Sequence, residues 1–347
     1  LKALFDINHP AHVHFFREPI ARLKKKGWEI VITSRDKDVT LQLLKEYGLE
    51  STVLTKIGRG ALSLAGELLV RDYKLFRLVR DLKPDVMASI GGTFIAHVSA
   101  ISKVPSLVFY DTENARAQNF ITYPFATEIH VPACYEAKLP ADKSFRYQGY
   151  HELSYLHPDI FSPDRGLAVA AGLDPNKKNY LIRLVSWQAN HDVGVSGWNS
   201  DLLKKVVDKL AAEGNVLIST EAELPEYFSP WIYTGKPSDL HHVLACSSLC
   251  IGESATLASE SAVLGVPAIY MATEGRGYTN EQQNKYQLVK NILAIDERLL
   301  FSAIDEMLSP DASFYQQQKE LLLADKIDVA KYVVDRISMF LPSKLVD

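Results

Sequence analysis

The sequence predicts an α/β chain made of two Rossmann-like, doubly wound parallel-sheet domains facing a cleft, with C-terminal helices packing back. Three observations predict it. Short apolar runs alternate with helical patterns from the first residues onward. The alternation breaks off in a proline- and aspartate-rich stretch between His157 and Pro175, then restarts at Asn179. Residues 247–269, SSLCIGESATLASESAVLGVPAI, read as strand, tight turn, helix and new strand, the repeating unit of a parallel sheet. A chain of 347 residues has room for two such cores. The expected domains are 1–160 and 161–325, with a last helix in 326–347 crossing back to the N-terminal domain.

Taken in order, 2–7 is a short apolar strand. The spacing of Phe15, Phe16, Ile20 and Leu23 predicts a helix over 13–26, and Lys24, Lys25 and Lys26 suit its C-terminal dipole before Gly27 stops it. Strand 28–33, helix 36–47 and strand 51–54 follow. A long helix over 61–82 interleaves Arg71, Lys74, Arg77 and Arg80 with leucines. It is either a core-facing amphipathic helix or a surface helix that meets an anionic membrane. Strand 84–90 runs into Gly91, Gly92 and Thr93, and strand 106–110 into Asp111–Ala115. The segment 129–132 reads as the last strand of this half, and 147–152 as the exit towards a linker. The second half gives strand 179–185, helix 201–212, strand 215–219 and helix 237–245. After 247–269 come a polar, glycine-containing loop at 273–284 and terminal helices.

Composition narrows the classes. A net charge of -4 gives no global basic excess, which argues against nucleic acid as a partner. The three cysteines, Cys134, Cys246 and Cys250, cannot all pair and form no CxxC, which argues against a zinc site or redox dithiol. A reducing, cytoplasmic setting is expected, since no apolar run reaches membrane-span length and no secretory pattern precedes the first strand. Peripheral contact with the inner face of the membrane is the sharper reading of the 61–82 helix.

In doubly wound sheets ligands bind outside the carboxyl ends of the strands. His9 and His12 follow the first strand. A helix dipole would keep His12 neutral and able to take a proton from a hydroxyl acceptor; alternatively, His9 and His12 only cap the helix. Asp111 and Glu113 either bind or deprotonate an acceptor, or serve as first-turn acids behind a Thr112 cap. Gly91, Gly92, Thr93 and Asn114 stand on the same acceptor side. In the second half, Gly252, Ser254, Ala255 and Thr256 have too little bulk to shield the first amides of a helix from a phosphate, unless they only let helix and strand pack. Glu260, one turn on, suits both hydroxyls of a ribose. Arg183, a charge inside a strand, points at a diphosphate or pairs with a buried acid. Ser186 is expected on the donor phosphates, and His191, Gln282 and Gln283 on the sugar, because an amide donates and accepts at once. No metal site is expected.

These residues resemble the GT-B superfamily of two-Rossmann-domain glycosyltransferases over essentially the whole chain. The run Asp6 to His12 is similar to the D-I-x-H-P-A-H segment of a little-characterised archaeal and bacterial family of predicted glycosyltransferases. More distant resemblances are to the N-acetylglucosaminyltransferase that builds the lipid-linked peptidoglycan precursor and to the non-hydrolysing UDP-N-acetylglucosamine 2-epimerase. The transferase's histidine-ending turn falls on His12 and its glycine pair on Gly91-Gly92. Its H-E-Q-N-A falls on Asp111–Ala115 with the histidine replaced, its ribose glutamate on Glu260, and its D-R-Q-Q on Asn280–Gln283. Its glycine-rich first turn and its second-domain G-G-S are not matched, and the epimerase's R-R-E-N is absent from 186–192.

The resemblance implies a metal-independent glycosyltransferase of cell-envelope polysaccharide chemistry. It would move a sugar from a nucleotide diphosphate sugar, UDP-linked, to a hydroxyl acceptor, a lipid-linked one included. It implies no cofactor, the nucleotide-sugar being a substrate. The alternatives are a nucleotide-sugar 2-epimerase and a nucleotide-sugar-binding protein without catalysis.

Overall fold

Both sheets are parallel and doubly wound. The computed structural model describes residues 1–56, 61–185, 198–220 and 223–340. It divides into two compact units, Leu1–Tyr155 with Ile327–Asp347, and Leu156–Lys326.

The first unit runs β1 (Lys2–Ile7), α1 (Pro10–Lys25), β2 (Glu29–Asp36), α2 (Thr40–Glu46), β3 (Thr52–Lys56), α3 (Ala61–Leu82), β4 (Val86–Ile90), α4 (Thr93–Ser102), β5 (Ser106–Phe109), α5 (Arg116–Thr122), β6 (Glu128–Pro132) and β7 (Ser144–Tyr147). Its seven strands lie in the order β3-β2-β1-β4-β5-β6-β7, all parallel. The chain winds one way from β1 to β3 and the other way from β4 to β7. Right-handed crossovers then put α3, α4 and α5 on one face and α1 and α2 on the other. The helix packing agrees: α3 meets α4 and α4 meets α5, while α1 meets α2. Leu4, Leu75, Val79, Met87, Ile95, Val108 and Ile129 fill the core beneath the α3–α4 layer. Covered on both faces, the central strands are almost wholly buried and mostly apolar.

Several bounds differ from expectation for identifiable reasons. α1 starts at Pro10, not at 13, because proline suits the first helical position and His9 Nδ1 caps the Ala11 amide at 3.2 Å. α2 is shorter than 36–47, since Asp36 belongs to β2 and Asp38 takes a positive φ. Thr112 caps no helix; α5 begins at Arg116, and the Thr112 hydroxyl turns to Asp111. The sheet continues past 129–132 into β7.

The second unit runs α6 (Arg165–Ala170), β8 (Lys178–Leu184), α7 (Ser200–Ala211), β9 (Gly214–Thr220), α8 (Leu240–Ala245), β10 (Leu249–Gly252), α9 (Ala255–Leu264), β11 (Ala268–Met271), α10 (Gly277–Asn284), β12 (Val289–Ile292), α11 (Glu297–Leu308) and α12 (Ala312–Asp325). The strand order is β12-β11-β10-β8-β9, again parallel. The stretch expected as a polar loop at 273–284 holds α10. Its buried face is Gly277, Tyr278, Thr279 and Gln282, too polar to announce a helix.

α13 (Val329–Ser338) belongs to the first unit and lies against α1. Asp328, at its N-cap, pairs with Arg22 at 2.6 Å. Tyr332 Oη bonds His130 Nδ1 at 2.9 Å, and Arg336 pairs with Glu128. His130 is itself stacked between Phe109 and Phe145. Burial pushes its imidazole down despite Glu128, so it stays neutral in the core.

Candidate functional site

Each sheet has a switch point where the winding reverses, between β1 and β4 in the first unit and between β8 and β10 in the second. Ligands of open α/β sheets bind there.

At the first switch point the chemistry starts from a buried charge. Asp6, at the end of β1, has no solvent exposure and accepts from Thr33 Oγ1 at 2.7 Å, from Asn8 Nδ2 at 2.8 Å and from Arg71. Asn8 is thereby fixed, and its backbone N–H donates to His12 Nδ1 at 3.2 Å. That bond decides what His12 can do. A neutral ring accepting at Nδ1 carries its proton on Nε2 and presents a donor, not a base. Burial, then His9, with His151 and Lys37 adding to them, pushes the imidazole well below its ordinary value; Asp111 opposes them. The general-base expectation for His12 is therefore corrected: it is a neutral hydrogen-bond donor.

The proton-accepting geometry belongs to a residue the sequence left at the linker. His151 is 5% exposed, and its Nδ1 lies 3.2 Å from Asp111 Oδ2. A carboxylate there fixes the proton on Nδ1 and leaves the Nε2 lone pair bare. Nε2 is buried and has no hydrogen-bond partner among the described residues. Burial would raise the Asp111 carboxyl, but its contact with His151 and the bond from the Thr112 hydroxyl outweigh it and hold the group below its ordinary value. Asp111 is thus an anion that orients His151. Tyr147 Oη and Asn8 Oδ1 are likewise buried without partners among the described residues. Burial pushes the Tyr147 phenol well up, with Asp111 adding to it. Orphaned buried polar atoms such as these mark places where a ligand or water belongs.

The other expected acceptor residues divide. Gly91 and Gly92 have φ of +70° and +45°, and a Cβ on Gly92 would sit 1.7 Å from Val108 Cγ1. Their glycines serve backbone and packing. Thr93 is buried on Thr122 at 2.8 Å, so it does not face a ligand. Glu113 lies beside the Glu136 amide at 3.5 Å, and Asn114 is exposed. His9 is engaged as the α1 cap.

At the second switch point Gly252 is forced: a Cβ there would meet the Arg183 carbonyl oxygen at 1.9 Å. Ser254 caps α9 by accepting from Leu257 N at 3.2 Å, and the Ser254 carbonyl takes the Ala258 amide at 3.0 Å. The amides of Ala255 and Thr256 remain at the open helix end. Glu253, passed over in the sequence, accepts from the Val185 amide at 3.2 Å and the Trp198 amide at 3.0 Å. Arg183 is half-buried and donates to Ser219 Oγ at 2.9 Å. Glu260 is 5% exposed and holds His241 Nε2 at 2.9 Å. Gln282 is wholly buried and donates to Ser259 Oγ at 2.7 Å, joining α10 to α9. It presents no amide to a sugar in this state. Gln283 Oε1 accepts from Asn291 N at 2.7 Å. Ser186 and His191 lie outside the described residues. No cluster of three or more His, Cys, Asp or Glu suited to a metal occurs among the described residues.

The profile of the family described as "Protein of unknown function (DUF354)" matches residues 1–341, nearly the whole chain. The chain belongs to the DUF354 family. Uncharacterized protein MJ0665 of Methanocaldococcus jannaschii is 24% identical over 284 residues, which cover 78% of this DUF354 chain and 81% of that protein. Among solved structures, the M. jannaschii UDP-GlcNAc 2-epimerase in complex with UDP-GlcNAc and UDP superposes with a TM-score of 0.68 at 13% identity, covering 98% of this chain and 100% of that one. Acinetobacter baumannii MurG gives 0.61 at 14%, covering 98% and 100%. These likenesses are of fold: this DUF354 chain has two parallel-sheet α/β domains like those of GT-B proteins.

His12 carries a pH prediction. Its folded pKa lies below the unfolded value of about 6.5. As pH falls through that value the unfolded chain takes up a proton that the native state refuses, so stability falls with pH there. Urea denaturation should show stability dropping between pH 7.5 and 5.5, with a smaller drop in His12→Gln. An equal drop in the variant would show that His12 contributes nothing to it.

Proposed function

We propose that the chain is a glycosyltransferase moving a sugar from a nucleoside diphosphate sugar, UDP-linked, to a hydroxyl acceptor. The observation that carries this is the bare, buried Nε2 of His151, oriented by Asp111 at the strand ends of the first unit. An acceptor hydroxyl there would lose its proton to His151 while His12 Nε2–H holds an oxygen. In the second unit the open end of α9 would take the diphosphate, its dipole balancing the charge that leaves with the nucleotide. Glu260, braced by His241, would meet the ribose, with Arg183 and Ser186 near the phosphates and His191 and Gln283 near the sugar. Solved structures of similar fold include proteins whose names give UDP or UDP-GlcNAc as ligand, which supports a uridine donor.

The test is thermal stabilisation by UDP, GDP, CDP, dTDP and ADP, for wild type and Glu260→Ala. A ligand at about a hundred times its Kd adds about 2.7 kcal/mol to the native state. One nucleotide should raise the melting temperature selectively, and Glu260→Ala should abolish the shift. No shift with any of the five would sink the donor site. Conversion of UDP-GlcNAc to a second sugar with no acceptor present would make the protein an epimerase instead.

A further inference from the structure

α3 carries two stripes. Leu75 and Val79 are sunk in the core. Leu69, Tyr73, Arg77 and Arg80, at intervals of four, four and three, share the opposite, exposed face. Leu69 is 72% and Tyr73 61% exposed, and Val70 beside them is also exposed. The neighbouring helices continue the apolar surface with Ile101 of α4 and Phe120 of α5, the latter 81% exposed, and with Phe125 just beyond α5. His97 of α4 ties these together. Its Nδ1 bonds Asp72 of α3 at 2.7 Å, its Nε2 lies 2.9 Å from the Ile121 carbonyl oxygen, and its ring meets Phe125 edge-on at 5.5 Å. Single exposed apolar side chains are ordinary; a run of them across three adjacent helices is not.

Along α3, α4 and α5 the charges that make no ion pair among the described residues are basic. The acids of α3 are each engaged, Glu67 by Arg35, Asp72 by His97 and Asp81 by Arg80. Arg77 and Arg116 are exposed and make no ion pair among the described residues, and Lys103 is exposed at the end of α4. We infer that the outer face of the α3–α4–α5 layer docks on an anionic lipid bilayer, its aromatic and leucine side chains entering the headgroup boundary and its basic rim meeting lipid phosphates. A second copy of the chain would bring two basic rims together, which disfavours that occupant. No helix of the described residues is long and apolar enough to cross a membrane, so the contact lies at the surface.

Co-sedimentation of the full chain with phosphatidylglycerol vesicles, against phosphatidylcholine vesicles, tests this. Wild type should pellet with the anionic vesicles and stay in solution with the neutral ones. A Leu69→Ser/Phe120→Ser variant should partition about tenfold less, through lost apolar insertion. Arg77→Glu/Arg80→Glu should lose more than tenfold, since each basic residue near an anionic surface is worth about a fivefold gain. All four positions are exposed, and an unchanged melting temperature confirms that the variants fold. The inference is overturned if wild type does not pellet with phosphatidylglycerol, or if the variants pellet equally. It is also overturned if sedimentation velocity shows a lipid-independent dimer that the Leu69/Phe120 variant abolishes. Nucleotide shifts are read separately on the same variants, so loss of lipid binding leaves the donor site standing and the reverse.

Discussion

His151→Gln should keep the nucleotide-induced melting shift and lose acceptor-dependent turnover by a factor of about 10² to 10⁴, the usual worth of a positioned general base. Nucleotide binding is assigned to the second unit, whereas His151 and Asp111 belong to the first. The loss should appear in kcat more than in KM, because proton transfer belongs to the transition state. Asp111→Asn should fall nearly as far. An amide facing Nδ1 no longer dictates the Nδ1–H tautomer, and the Nε2 lone pair is no longer guaranteed. His12→Gln is the contrasting variant: losing a donor should weaken turnover less. If His151→Gln turns over within threefold of wild type while His12→Gln is dead, the roles given to the two histidines are reversed. His151 also packs on Phe15, with ring centroids 4.4 Å apart, so the melting temperature of each variant must accompany its rate.

Much of the fold was legible because buried parallel strands advertise themselves. VMASI and SLVF are apolar but for one serine each, and the glycines that end helices sit where the periodicity stops. β7 escaped notice because SFRY buries only Tyr147 fully, and an edge strand need not be apolar. α10 was hidden by a polar sequence whose buried face includes a glutamine and a threonine. The site was less legible, for a different reason. Whether His12 is a base depends on a backbone amide at Asn8, and Asn8 is held by a carboxylate that is itself held by Arg71 from another helix. No local pattern states that. The contact of Asp111 with His151 joins the end of β5 to the turn after β7, which only the sheet order brings together. Glu253 stands between Gly252 and Ser254, in a run whose small residues carry the plainer anion-site pattern. Its acidity marks the position: among small side chains at a helix start, the charged one holds neighbouring amides.

Arg71→Met should cost about 3–5 kcal/mol, because it leaves the Asp6 carboxylate buried with its cation gone. Both side chains have no solvent exposure. Arg71 Nη1 also donates to the Ser34 carbonyl at 3.1 Å and Thr55 Oγ1 at 3.0 Å, and the guanidinium lies 4.8 Å over the Phe94 ring. These contacts tie α3 to β2 and β3 as well as to β1. The cost is a large part of the 5–15 kcal/mol typical of a domain, and urea denaturation resolves it. Replacing both charges, Asp6→Leu with Arg71→Met, should recover most of the loss, since a well-packed apolar pair often equals a buried ion pair. A loss below about 1 kcal/mol in the single variant would mean the pair is not carrying opposed charges as assigned. The double variant then separates stability from function. Asn8 keeps its backbone N–H but loses the carboxylate that fixes its side chain, so the bond to His12 Nδ1 loosens. A protein that is stable again yet turns over more slowly would show that evolution had a use for this ion pair beyond stability. Its place, two residues before the Asn8 amide that sets the His12 tautomer, supplies that use.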